Sequence, residues 1–293
     1  MDLEKYFNRI NYQGTHTKLD LDTLNEILQH HVRAIPFENL SIHCGEPIEL
    51  NIEATYNKIV QKKRGGWCME NNHLLSWVLK TMGYDITLLG ANVYISSDEA
   101  YYPNISHLVV RVAINGKSYI ADAGFGASYQ MWQALELVSG KAQPQTPGIF
   151  FLTEIDGVWY LDKMRRKQQL SNPSFLHCSL VEKHDYKKIY SFTLVARVIE
   201  EFQDISTYLQ TAPDSLFRNK SICTLQLTDG LCALIGWTLC EVKYNYEKDV
   251  DLMAFTTVKD EDMEKTLKEK FKITLENKFT PADNKMKMVR YTI

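Results

Sequence analysis

Asn115-Gly116 leaves the chain around it little conformational freedom. It separates the alternating run His107–Ile114 from Lys117–Asp122, and Asn-Gly is the favoured occupant of a two-residue type I′ hairpin turn. In such a turn Ile114 faces Lys117, so counting back along the ladder sets Val109 opposite Asp122 and His107 opposite Gly124. Opposed residues share a face of the sheet, as do alternate residues. His107 and Asp122 thus become diagonal neighbours on one face, roughly 7 Å apart at the backbone, within reach of an imidazole and a carboxylate. Gly124, lacking a side chain, leaves space for the ring. A carboxylate so placed fixes the tautomer of an imidazole and stabilises the imidazolium. Residue types alone leave an equal alternative open: a hydrogen-bonded histidine at a strand end and an aspartate opening a turn.

A second feature tilts that balance. In Arg64-Gly65-Gly66-Trp67-Cys68 the two glycines permit a tight turn, because glycine accepts positive φ without steric cost. From Asn71 onward Leu74, Leu75, Val78, Leu79 and Met82 recur at helical spacing, and Gly83 is placed to end the helix. Cys68 therefore sits at the start of a helix, where unpaired N–H groups and the helix dipole favour a thiolate. Taken alone, a cysteine is more often a small buried hydrophobe. Joined to His107 and Asp122, it completes the residue types of a Cys-His-Asp triad, in which an imidazole activates a thiol.

The chain around these residues changes period near residue 84. Before it, helices are expected over Asp2–Ile10, from Asp20 to Pro36, over Asn51–Lys63 and after Cys68, with Pro36–Leu40 as a turn. His30 and His31 fall on the second helix with no partner spaced for a metal and read as face residues. Beyond 84, strands are expected at Ile86–Leu89 and Val93–Ile95, and hairpins at Asp156-Gly157 and Asp229-Gly230. The second of these pairs Ser221–Leu227 with a strand over Leu231–Val242. Lys163–Lys188 is charged, poor in pattern and expected as a surface loop. Short helices are expected over Ile199–Gln210 and Asp260–Phe271.

Composition excludes several classes. A formal charge of −3 gives no footprint for nucleic acid or an anionic membrane surface. The most apolar run, Leu231–Cys240, is half the length of a membrane span, which takes about 20 residues, and reads as a buried strand. Cys44, Cys68, Cys178, Cys223, Cys232 and Cys240 show no paired spacing, so no metal is expected. With Met1-Asp2-Leu3-Glu4-Lys5 lacking an apolar signal core, reduced thiols in a cytoplasmic protein are expected. No heptads mark an oligomer, and a monomer is the expectation.

Arg64-Gly-Gly-Trp-Cys68, Pro36-Phe-Glu-Asn-Leu40, Asp122-Ala-Gly-Phe125 and the position of His107 together resemble the arylamine N-acetyltransferases, most of all the vertebrate ones. The resemblance runs from Met1 to Tyr291-Thr-Ile293 and includes Leu135–Lys141 and Ile205–Gln210. It implies an α+β fold of the papain-like cysteine-triad superfamily. The implied parts are an N-terminal helical bundle over 1–83 carrying the nucleophile, a central β-barrel over 84–192 carrying histidine and aspartate, an interdomain linker over 193–229 and an α/β lid over 230–293.

It also implies a ping-pong reaction. The Cys68 thiolate takes the acetyl group of acetyl-CoA, and an arylamine, arylhydrazine or N-hydroxyarylamine then removes it, with His107 the proton partner and Asp122 its orienting group. Carried over by position, Phe37, Val93, Ser106, His107, Phe125, Ala127 and Tyr129 shape the acceptor pocket. Trp67, Pro103, Ser106, Tyr208, Asp214 and Lys287 meet CoA. Asp214 has the wrong charge for a phosphate, and Ser215 beside it is the substitute, whereas Lys287 would attract phosphates. Two rivals share these features: a papain-like or transglutaminase-like enzyme acting on amides, and a binding protein that keeps the scaffold without catalysis.

Overall fold

The computed structural model describes residues 1–284 apart from 16, 97, 165, 176–180 and 182–185, so Cys178, Lys287 and Tyr291-Thr292-Ile293 lie outside the described residues. The N-terminal helices each begin at a side chain that caps them. Asp2 accepts from the N–H groups of Glu4 and Lys5 to open Leu3–Arg9, and Asp20 accepts the Thr23 N–H at 2.9 Å to open Leu21–Ala34. That helix stops at Ile35, the residue before Pro36, which a proline forces out of the helical region. Asn51 caps Ile52–Tyr56, which continues as a π-turn over Asn57–Gln61. His31 is buried and shares a 2.8 Å hydrogen bond with the Tyr6 hydroxyl. Burial drives its pKa down to about 3, so it packs as a neutral ring.

Two sheets complete the molecule. The first runs, in spatial order, Leu135–Glu136, Lys117–Ala121, His107–Ile114, Asp85–Ile95, Tyr186–Ala196, Val158–Met164, Gly148–Ile155 and Ala142–Gln145, all antiparallel. It curls until its two edges are bridged by a side chain: Gln143 accepts the Glu136 N–H at 2.8 Å and donates to the Glu136 carbonyl at 2.9 Å. The result is a nearly closed barrel. Phe150, Leu152, Leu161, Tyr190 and Phe192 fill it from alternate positions on neighbouring strands.

The second sheet runs Phe37–Glu38, Ile222–Leu227, Gly230–Ile235, Thr238–Asn245, Val250–Thr257 and Lys167–Leu170, with the last pair parallel. Its outer strands come from the N-terminal and middle parts of the chain, so three stretches of sequence interlock in one layer. The helix Met263–Phe271 packs its Met263, Leu267 and Phe271 face on Cys223, Leu225 and Cys232. Among the described residues no helix is long and apolar enough to cross a membrane.

Several expectations need correction. Pro36–Leu40 is not a turn: Phe37–Glu38 is an edge strand paired with Cys223–Thr224, and Leu40–His43 is a short helix. Asp85–Ile95 is one continuous strand. The run Leu231–Val242 is broken at Gly236, where φ is +54°, into two antiparallel strands, because apolar content alone does not reveal a turn inside it. The preceding hairpin turns at Thr228-Asp229, since Leu227 pairs with Gly230. Lys163–Lys188 includes a strand, Lys167–Leu170, whose pairing with Val250–Met253 is invisible locally.

A buried ion pair holds the first seam. The Glu38 carboxylate receives Arg64 Nε at 3.0 Å and Nη2 at 3.2 Å, and accepts the N–H groups of Leu40 and Gly65. Burial opposes its charge, yet Lys58 and Arg64 hold the carboxyl below its usual range. Removing one partner of such a pair strands the other charge in the interior. Arg64→Met is therefore expected to cost about 3–5 kcal/mol, read as a lower urea midpoint at unchanged m.

Candidate active site

Cys68 is the first residue of the helix Cys68–Met82, and Trp67, in extended conformation, precedes it. Tryptophan offers no side-chain acceptor for the free N–H groups of the first turn. Stabilisation comes from within: the Glu70 carboxylate accepts the Trp67 N–H at 3.2 Å and takes Lys58 Nζ on both oxygens at 2.8 and 2.9 Å. The first-turn N–H groups lack carbonyl partners four residues back and concentrate positive potential around the sulfur.

Gly65 and Gly66 are needed for a reason other than positive φ, which in this stretch is found at Lys63 (+54°). A Cβ on Gly65 would collide with the Pro36 carbonyl, and one on Gly66 would stand 2.8 Å from the Glu70 Cβ. Glu38 N–H to the Gly66 carbonyl at 3.0 Å, and Gly66 N–H to the Pro36 carbonyl at 3.1 Å, tie this loop to the edge strand.

The hairpin registers as its turn dictates, with Ile114 opposite Lys117 and Val110 opposite Ala121. Just beyond the last pair, Asp122 Oδ2 lies 2.7 Å from His107 Nε2, both side chains buried. The Cys68 sulfur is hydrogen-bonded to the same ring; with Nε2 committed to Asp122, Nδ1 is the nitrogen left for it. Gly124 does not make space for the ring. A Cβ there would stand 2.7 Å from the Cys68 carbonyl oxygen and 2.8 Å from its Cα, so this glycine seats the Cys68 backbone.

Burial works against an imidazolium at His107, but the charge and hydrogen bond of Asp122, aided by Cys68, outweigh it and push the His107 pKa up to about 10. Asp122 feels the converse. Burial would raise it, and the His107 charge with hydrogen bonds from His107, Asn72 and Gly124 holds it below the ordinary carboxylate range.

Cys68 and His107 open on a cavity walled mainly by apolar and aromatic side chains, with Asp122 buried behind the ring. Of the expected acceptor positions, Phe37, Val93, Ser106, His107, Phe125 and Tyr129 line it. Ala127 is buried beside the cavity and does not line it. Phe125 stands edge-on to His107 at 5.1 Å between ring centres, and Tyr129 edge-on to Phe125 at 5.9 Å. Flat apolar walls of this kind suit an aromatic ring.

The sequence model of a family described as N-acetyltransferase matches residues 20–280. Over 97% of its length the chain is 61% identical to "Arylamine N-acetyltransferase, pineal gland isozyme NAT-10" of Gallus gallus, covering 98% of that protein. The chain belongs to the arylamine N-acetyltransferase family. It is an acyltransferase, and the family name implies acetyl transfer to arylamines. It is also 51% identical to arylamine N-acetyltransferase 1 of Homo sapiens, over 96% of this chain and 97% of that one. Among solved structures it is similar to the Mycobacterium smegmatis arylamine N-acetyltransferase, with TM-score 0.80, 27% identity and coverage of 94% and 93%. The Mycobacterium marinum enzyme, solved in complex with CoA, gives 0.79 and 26%, with 93% of each chain covered.

The positions carried over for CoA do not gather in one place in this family member. Ser106 lines the central cavity, and its Oγ accepts the Val93 N–H at 3.4 Å. Pro103 and Tyr208 share a neighbouring cleft with Tyr102 and Asn104. Asp214 is exposed and accepts the Tyr208 hydroxyl at 3.0 Å. Trp67 is fully buried, edge-on to Phe217. Ser215 is buried too, its hydroxyl donating to the Leu209 carbonyl while accepting the Phe217 N–H, so it caps a short helix.

Other residues of the site were not anticipated. Asn72, one turn beyond Cys68, donates to Asp122 Oδ1 at 2.8 Å and accepts the Ala123 N–H at 2.7 Å. Its only signal is an amide four residues from the cysteine on an otherwise apolar face. Tyr190 lies 5.2 Å from the His107 ring, its planes tilted by 33°. Leu209, Leu216 and Phe217 wall the cavity from a distant part of the chain, where no spacing argument reaches.

These shifts fix a pH window. A pKa raised from about 6.5 to about 10 at His107 stabilises the fold fully below 6.5, and the contribution is lost as pH rises through 10. Carbon-13 labelling of the histidines is expected to show one imidazole still charged at pH 8, and Asp122→Asn to bring its titration down. A His107 titration near 6.5 in the unaltered protein would contradict the charge assignment.

Proposed function

We propose that the chain transfers the acetyl group of acetyl-CoA to arylamines, arylhydrazines and N-hydroxyarylamines through an acetyl-Cys68 intermediate, in a reduced, cytoplasmic setting. The observation that carries this reading is the unbroken contact Cys68–His107–Asp122 at a helix start, opening on an aromatic-walled cavity.

In the proposed cycle the nucleophile is the Cys68 thiolate, and His107, its pKa raised chiefly by Asp122, carries the proton. The sulfur attacks the acetyl carbonyl carbon. The oxygen gains the electron pair, and the Cys68 backbone N–H, at the helix start, is its proposed donor. The carbon–sulfur bond to CoA breaks, and the leaving thiolate takes the proton from His107. The amine nitrogen then attacks the acetyl-cysteine, neutral His107 accepts its proton, and Cys68 leaves as the thiolate that began the cycle. Asp122 stays ionised throughout and keeps Nε2 protonated.

In this reading residues 1–83 bring the nucleophile and 84–192 bring the base with its orienting carboxylate. Later residues cover the site through Leu209, Leu216 and Phe217. Ser106, Pro103 and Tyr208 are the proposed contacts of acetyl-CoA, whereas Trp67 and Ser215 act through packing and capping.

Incubation with acetyl-CoA alone is expected to add one acetyl group to the intact mass, absent in Cys68→Ser and removed by an arylamine as the acetylated amine. Turnover of acetyl-CoA with no adduct would favour the hydrolytic rival, and no reaction the binding protein. Asp122→Asn is expected to slow acylation by about 10⁴-fold, the effect of losing the orienting carboxylate in an analogous triad.

A further inference from the structure

The loop Asp122–Met131 carries both the orienting carboxylate and two walls of the acceptor cavity, and it is fastened near Asp122, at Ala127 and at Ser128, whose carbonyl accepts from Lys163 Nζ. Near Asp122 the fastening is internal to the barrel and its helix. Asn72 holds Asp122 and Ala123, while Gln130 accepts the N–H groups of Phe125 and Gly126 and donates to the Asp122 carbonyl. At Ala127 the fastening comes from the second sheet. Thr224 Oγ1 accepts the Ala127 N–H at 3.0 Å, and Gln226 Nε2 donates to the Ala127 carbonyl at 2.7 Å.

Ala127 needs that grip. Its φ is +47°, a region L-residues rarely adopt, and it follows Gly126 at +76°. The two reverse the chain between Phe125 and Tyr129, the rings that flank the acceptor space. A Cβ on Gly126 would press on the Phe37 ring at 2.8 Å. Thr224 is also the cross-strand partner of Phe37, a third wall. Gln226 is anchored in turn, its Oε1 accepting the Trp132 indole N–H at 2.9 Å. Both side chains are almost wholly buried, and neither lines the cavity. One strand, Ile222–Leu227, thus aligns three aromatic walls without touching what lies between them.

We propose that Thr224 and Gln226 are specificity-determining positioning residues for the acceptor half of the reaction: by fixing Ala127 they set the gap among Phe37, Phe125 and Tyr129 that selects the amine's ring. The inference rests on the acetyl-cysteine reading above. The Asp122 carboxylate has its own donors, so acylation of Cys68 does not depend on either residue, while acceptance of the amine does.

Thr224→Val keeps the shape and removes the acceptor oxygen, leaving a buried N–H unsatisfied. Gln226→Glu keeps the bond to Trp132 and sets an oxygen against the Ala127 carbonyl. Each variant is expected to raise the KM for a single-ring arylamine roughly tenfold and to change the preference between para-substituted and unsubstituted rings. The single-turnover rate of acetyl uptake from acetyl-CoA should stay within twofold of the parent, and Thr224→Ser should restore the arylamine KM. Unchanged KM and ring preference in both variants would overturn the inference, as would a fall in acetyl uptake equal to the loss in arylamine kcat/KM. Failure of the unaltered protein to take up acetyl would instead sink the acetyl-cysteine reading on which the inference stands.

Discussion

The interior of this protein is arranged around a carboxylate that has to stay charged out of water. Asp122 is almost wholly buried, and an isolated buried carboxylate would rather bind a proton than bear the loss of hydration. Three donors prevent it: His107 Nε2 at 2.7 Å, with Asn72 Nδ2 and the Gly124 N–H both at 2.8 Å. Each comes from a different element. The barrel strand supplies one, the helix that begins at Cys68 another, and the loop's own backbone the third. Satisfying one charge therefore fixes how helix, strand and loop meet. The position of Cys68 against the ring follows, because Asn72 and Cys68 share a helix face one turn apart.

How much of this was legible in the sequence depends on the range of the forces involved. The Asn115-Gly116 turn imposes its register through two residues, so the ladder and the His107–Asp122 proximity could be counted residue by residue. The helix starts expected at Asp2, Asp20 and Asn51 are equally local, each side chain capping over two or three positions. Phe37–Glu38 is a strand only because Cys223–Thr224 lies beside it, and Lys167–Leu170 only because Val250–Met253 does. Nothing within either stretch encodes that partner. Gly236 hides in an apolar run because the buried strand before it and the apolar start of the strand after it, Leu239 and Cys240, read as one. At the site the same division holds: the closeness of His107 and Asp122 follows from local geometry, whereas Tyr190 and Phe217 reach them through tertiary packing.

The interlocked second sheet gives the site its third wall. Phe37–Glu38 joins it from the N-terminal part of the chain, and Lys167–Leu170 from the middle, with the Arg166–Asp251 pair at 2.7 Å beside that junction. A cluster containing Phe37, Trp67, Cys68, Leu108, Leu209, Leu216 and Ile222 lies where the first of these stretches meets the strand Ile222–Leu227. Cys68 is thus embedded in a packed joint, which fixes the distance between its sulfur and the ring.

Gly124 has a consequence for how such a site can change over time. Its hydrogen faces the Cys68 carbonyl and Cα where any larger group would intrude. The spacing between sulfur-bearing helix and carboxylate-bearing loop is set by the smallest side chain available, so drift at this position can only widen it. Diversity among related molecules must accumulate elsewhere, in the rings around the cavity and the strand behind them, while the contact between these two backbones stays as narrow as chemistry permits.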